Sequence, residues 1–231
     1  DRDPEEHNGP PEGPENDPMP PRPDMMNRQS ALGRIGDTAE ETLEHIRRKM
    51  EMVASEFSEG KINRAQFNAV YGHYGEQRII IERLIERNPG TNAWRRVASP
   101  GRTDFLRNHF EAHPVYFIVF QHQRRDPLAT GGEQPDGSTQ AILRAIKHLW
   151  SLDDIPENGL ARQEIDENHC LVLANGKLAV TIVIYALQPA QAQIHIVRDL
   201  HTDFERANRL SLQRNLPADM MVFPQRSLFP G

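Results

Sequence analysis

The residues best equipped for chemistry are His109, Glu111 and His113, in the run His109-Phe110-Glu111-Ala112-His113. On a strand, a period of two puts all three on one face with donors that suit zinc; on a helix, His109 and His113 still align at i, i+4. A polar edge facing solvent carries the same letters. These three therefore stand as the metal candidates, while the expectation is no metal and no cofactor. His195, Asp199, His201, Asp203 and Glu205 form a second group. Asp199 as a helix N-cap and Glu205 with Arg209 as an i, i+4 pair explain most of it. His169 reads as a capped or half-exposed histidine. Cys170, the single cysteine, reads as a small buried hydrophobe, since a reactive thiol needs a nearby cation or helix start. One cysteine also excludes an intramolecular disulfide and a multi-cysteine metal site.

The common phosphate-binding glycine loops, the nucleophile elbow and the His-Glu-x-x-His zinc motif are all missing from the sequence, which lowers the case for the best-known enzyme classes. Gly137-Ser138-Thr139 could present free backbone N–H groups to an anion, but ordinary helix capping uses the same residues. The chain has 27 Lys+Arg against 33 Asp+Glu, a formal charge of −6. Residues 1–24 carry that whole excess, so the rest is formally neutral. Neutrality argues against a nucleic-acid binder that works through bulk positive charge. Arg95, Arg96, Arg102, Arg107, Arg124 and Arg125, with Trp94 nearby, read as a solvated face.

Residues 1–34 are expected to be a disordered, acidic, Pro-rich tail, because the segment has too little apolar surface to offset backbone ordering. Its Pro18–Pro23 stretch has the composition of a polyproline docking ligand. Residues 37–90 are expected to form a helical hairpin. Asp37 to Glu41 supply a helix start, and Leu43, Ile46, Met50, Val53 and Phe57 make one stripe. After Gly60, Asn63 and Gln66 open a second helix with Phe67, Val70, Tyr74, Gln77, Ile81 and Leu84 along it, Gln77 being the one polar defect. Tyr71, Ile79, Ile80 and Ile85 fall off that stripe and imply a second contact surface.

Residues 91–231 are expected to be an α/β domain. Val115–Phe120 reads as a central strand, and Gln121–Gly137 as a long polar loop before a helix over Gln140–Leu152. Leu160–Ile165 is expected to enter a hairpin closed by a two-residue turn at Asn175-Gly176. One hairpin face carries Leu171, Leu173, Leu178, Val180, Ile182 and Ile184, the core; the other, with Val183 and Tyr185, is too apolar for water and too mixed for a core. Gln191–Arg198 is expected to be a further strand, Asp199 to open a helix with Leu200, Phe204, Ala207 and Leu210 as its buried edge, and Met220–Phe223 to be an edge strand or docking tail.

The fold class expected is thus α+β: an N-terminal antiparallel helical hairpin, then a mostly antiparallel sheet with flanking helices. Residues 43–85, through Glu56–Phe67 in particular, resemble the short helical hairpin of SHOCT-type oligomerisation modules, which implies self-association or docking. The order of strands, helix, three-stranded meander and helix is similar to that of roadblock, profilin-like and GAF/PAS-like domains, which implies dimerisation or a small ligand held on one sheet face. The expected function is a non-enzymatic interaction or scaffold module, as a homo-oligomer or with a protein partner, at Tyr71, Ile79, Ile80, Ile85, Val183 and Tyr185. The alternative is a small-ligand sensor with its pocket between the mixed sheet face and the Gln121–Gly137 loop; an enzyme of unknown class ranks below both. The longest apolar run, about ten residues around Leu178–Leu187, is half a bilayer span, so no membrane partner is expected and the expected location is cytoplasmic.

Overall fold

The computed structural model describes residues 38–99, 101, 103–122, 124–152 and 157–229; the expected tail over 1–34 lies outside them. The hairpin consists of α1 (Ala39–Ser58) and α2 (Arg64–Arg87). Both helices start with a reciprocal capping box. The Glu41 N–H donates to Thr38 Oγ1 while Thr38 N–H donates to the Glu41 carboxylate, each at 3.2 Å. Asn63 and Gln66 repeat this at 2.8 and 3.0 Å. Between them Gly60 takes a φ of +71°, a conformation open to glycine at little cost. Gln77, the polar residue in the α2 stripe, donates from Nε2 to the Val97 carbonyl at 3.0 Å and so holds the short helix α3 (Trp94–Val97) in place.

Helix α4 (Thr103–His109) joins the hairpin to the sheet. Asn63 Nδ2 donates to the Phe110 carbonyl at 2.8 Å, Gln66 Nε2 donates to the Arg107 carbonyl at 2.9 Å, and Arg107 pairs with Glu56 at 2.7 Å. The sheet contains β1 (His113–Gln121), β2 (Ala129–Gly132), β3 (Leu160–Glu164), β4 (His169–Asn175) and β5 (Ala179–Ala186), with α5 (Ser138–Trp150) between β2 and β3. Helix α6 (Gln191–Gln213) follows, then 3-10 turns at Ala218–Met220 and Pro224–Leu228. All strand pairs are antiparallel, in the order β2-β1-β5-β4-β3. The fold is α+β.

The sheet has a core on each face. One face packs Tyr116, Ile118, Leu171, Leu173, Val180, Ile182 and Ile184 against Ile142, Ile146 and Leu149 of α5. The other packs Phe117, Val119, Val172, Val183 and Tyr185 against α6 and the C-terminal turns. This second core corrects the reading of Val183 and Tyr185 as an open interaction face. They are 0% and 2% exposed, because Ile194, Val197, Phe204 and Leu212 of α6 cover them.

Other expectations change too, among them the buried edge of the last helix: of the residues expected there Phe204 is buried, while Ala207 and Leu210 are exposed. Gln191–Arg198 is the first part of α6, since Ile194, Val197, His201, Phe204, Asn208 and Leu212 make a helical stripe; Asp199 lies inside that helix and caps nothing. The loop over Gln121–Gly137 contributes β2, an edge strand. The hairpin tip at Asn175-Gly176 is longer than two residues: Asn175 pairs with Val180 and Leu173 with Ile182, with Gly176 N–H donating to the Ala179 carbonyl at 3.0 Å. Relative to a two-residue turn, Leu173 meets a residue four positions further on. An even slip leaves every side chain on its expected face, except that Leu178 now sits in the tip and packs toward the α6 side.

Candidate functional site

His109 ends α4, Glu111 lies in the connection that follows, and His113 begins β1. Strand and helix periodicity therefore never apply to all three together. Among the described residues no group of three or more His, Cys, Asp or Glu is placed to hold a metal. The His109 ring stacks on Phe105 at 5.5 Å.

The second sequence cluster separates. His195 and Asp199 face outward on α6, whereas His201 and Glu205 join a buried polar line behind the hairpin tip. Glu205 accepts from three consecutive backbone N–H groups, of Lys177 (3.1 Å), Leu178 (2.7 Å) and Ala179 (2.8 Å). A Cβ at Gly176 would run into the Glu205 carboxylate, so glycine there leaves the carboxylate its place at the tip. His201 Nδ1 meets Thr181 Oγ1 at 2.9 Å, and Gln225 Nε2 donates to that same oxygen at 3.0 Å. His201 Nε2 points toward Glu205 Oε1 at 3.8 Å. Burial pushes the His201 imidazole well below its ordinary range; the Glu205 carboxylate works against this and His122 adds to it. His122 donates from Nε2 to the Gly176 carbonyl at 3.1 Å, because Trp150 Nε1–H occupies its Nδ1 at 3.3 Å.

A hydroxyl, an imidazole and a carboxylate in line have the order of a nucleophile and its base. Here Thr181 and His201 are both buried, the hydroxyl is sandwiched by Gln225, and the carboxylate is already used by the tip. No substrate reaches such a hydroxyl. The line clamps the β4–β5 tip and the C-terminal turn to α6. Cys170 is buried too, and desolvation raises its thiol to about 11, which makes it inert.

An open groove lies on the opposite face of the sheet, at its β3 edge. Helix α5 covers β1, β5 and part of β4 and stops short of β3. What remains is a groove of about 500 Å³ lined by Arg144, Ala145, His148 and Leu149 of α5, by Leu152 just past its end, and by Gly159–Gln163, Leu171, Leu173 and Asn175 on the sheet side. Ala161 and Gln163 pair with Leu173 and Leu171, so they share the α5 side. Strand β3 is also an edge strand, paired on one side only among the described residues. Ile165 N–H donates to the His169 carbonyl (2.9 Å), and Asn175 N–H to the Gly159 carbonyl (2.8 Å). By antiparallel alternation, the N–H and C=O groups of Leu160, Arg162 and Glu164 point outward.

No family model, curated protein or solved structure matches the chain. Its function must be argued from this geometry.

The residues expected to form a second hairpin surface do not gather on one side. Tyr71 stacks on Phe67 at 5.0 Å, and Ile85 packs into the cluster of Ile46, Met50, Ile81 and Trp94. Ile79 and Ile80, 41% and 45% exposed, are left open at adjacent positions of α2. The groove went unforeseen because it is a gap between elements. Its one sequence signal was the pair Ala145 on α5 and Leu152 just past its end, beside the buried stripe of Ile142, Ile146 and Leu149. Among the described residues no helix is long and apolar enough to cross a membrane.

Proposed function

We propose that this chain is a non-enzymatic interaction module that associates with a second copy of itself through the β3 edge. The observation that carries this reading is an unpaired, outward-facing strand edge beside an uncovered apolar groove, a combination that folded chains usually blunt or cover. The opposite edge, β2, is blunted: it is four residues long, and a Cβ on Gly132 would lie 2.7 Å from the Phe229 ring and even closer to the Val115 carbonyl.

Charge favours a second copy as the occupant. Two β3 strands pairing antiparallel about an axis at Gln163 place Arg162 opposite the partner's Glu164, twice per dimer. Both are residues whose backbone groups point outward, so the register also satisfies the ladder. The resemblance to roadblock, profilin-like and GAF/PAS-like domains, and to a SHOCT-type hairpin, belongs to this proposal and supports self-association. The cytoplasm is the setting it assumes.

Light scattering after size exclusion tests it at roughly 50 μM. A dimer is expected. Arg162→Pro removes an outward N–H without touching the β4 pairing and should give a monomer, whereas Ile80→Asp should leave the dimer intact. A wild-type chain that is strictly monomeric removes the reading. A second reading, a small-ligand sensor, is favoured by the groove itself, whose volume is in the range of ligand sites. Its pocket then lies on the α5 face, away from the Gln121–Gly137 loop.

A further inference from the structure

We infer that the groove between α5 and β3 takes an anionic amphiphile: a carboxylate on an unbranched apolar chain. This rests on the ligand-holding reading and names the chemistry of that site. The walls are apolar along their length, through Ala145, Leu149 and Leu152 on one side and Ala161, Leu171 and Leu173 on the other. The titratable side chains on the groove side are both basic, Arg144 and His148 of α5; Arg162, which pairs with Val172, gives the rim its backbone and turns its side chain to the α6 face. That is a local positive charge in a chain that is formally neutral outside residues 1–24.

The described acids near this end of the sheet are engaged elsewhere. Glu157 pairs with Lys177 at 3.0 Å, Glu164 accepts from Gln188 Nε2 at 3.2 Å, and Asp166 holds His169 Nδ1 at 3.0 Å. Arg144 donates from Nε to the Gln140 carbonyl at 3.3 Å. Among the described residues neither Arg144 nor Arg162 is in an ion pair. An apolar chain laid along the groove leaves water, and a carboxylate at its rim meets the Arg144 guanidinium, a group that binds such anions in charge-assisted pairs, with His148 beside it. A cationic amphiphile of the same shape meets the same walls and the wrong charge.

Calorimetric titration of the full chain with decanoate, decan-1-ol and decyltrimethylammonium, each below micelle formation, tests this. Decanoate is expected to bind at least about tenfold tighter than either of the others, the factor one charge-assisted contact supplies. Arg144→Gln with His148→Gln should bring decanoate to the level of the alcohol. Ala161→Phe places a ring on the exposed groove floor and should abolish binding of all three, with the melting temperature checked to show that the variant folds. Alcohol and carboxylate binding equally, both blocked by Ala161→Phe, overturns the inference and leaves the ligand-holding reading standing. No binding by any probe removes both. Binding that survives Ala161→Phe places the amphiphile elsewhere and overturns the inference. So does binding seen only in monomeric Arg162→Pro, since the groove is then covered by a second copy.

Discussion

The two faces of the sheet are closed to different extents, and the difference lies in the lengths of their covers. Helix α6 runs 23 residues and is backed by the C-terminal turns, which place Phe223 on Phe204 at 5.4 Å and Phe229 on Phe117 at 5.6 Å. Helix α5 runs 13 residues, and among the described residues no further element continues its cover over β3. Since each sheet face must bury its apolar side against another layer, the first face is a finished core and the second is a core with an open end. Stability is therefore expected to concentrate on the α6 side, and the proposed binding on the α5 side.

The sharpest way to break this comparison is Phe204→Ala. Phe204 is 0% exposed and central to the α6 core, so its truncation should cost about 3–5 kcal/mol in urea unfolding. A cost below about 1 kcal/mol would show that the α6 face is not the stabilising one. Glu205→Ala comes next. It strips the acceptor from three N–H groups of the tip, and about 2–3 kcal/mol is expected. Gly176→Ala pushes the same carboxylate aside, so the double variant should cost clearly less than the sum of the two. Additivity would mean that the tip and Glu205 are not one unit.

The errors of the sequence reading follow the same division. The hairpin core was legible because faces depend on parity, and Leu171, Leu173, Val180, Ile182 and Ile184 stayed together when the register slipped by four. The turn was not legible, because Asn175-Gly176 is a local signal and the longer tip is held by Glu205, 26 to 28 residues further along the chain. The start of α6 was misread because Ile194 and Ile196 alternate as in a strand, while the helical stripe contains two polar residues, His201 and Asn208. Both are buried with partners: Asn208 Nδ2 donates to the Val222 carbonyl at 2.6 Å and its Oδ1 accepts from Val222 N–H at 2.8 Å, docking the tail. Missing that helix made Val183 and Tyr185 look uncovered. The hairpin caps, by contrast, are local and were read correctly at Asn63 and Gln66.

Acid sharpens the comparison on the α6 side alone. Above the ordinary imidazole range both folded and unfolded chains leave His201 neutral, and its contribution is fully present. As pH falls through about 6.5, the unfolded chain takes up a proton that the folded chain, with its lowered His201 pKa, resists. Stability then declines until the folded pKa is passed. About 1–2 kcal/mol should be lost between roughly pH 7 and pH 5. His201→Asn, which keeps a partner for Thr181 and cannot titrate, should flatten that slope. An unchanged slope would assign it to other groups, such as His45, whose pKa is also lowered.

The smallest effect is expected at the open end. Leu152 is exposed and lines the groove, so Leu152→Ala removes apolar surface that water already touches in a lone copy. Urea unfolding of monomeric Arg162→Pro, with and without Leu152→Ala, should differ by less than about 0.5 kcal/mol. The same change in the wild-type chain should show a concentration-dependent loss if a second copy or a ligand covers the groove, because only then does Leu152 leave water on association. A large cost in the monomer would mean that α5 already closes its face, and the contrast between the two sides of the sheet would disappear.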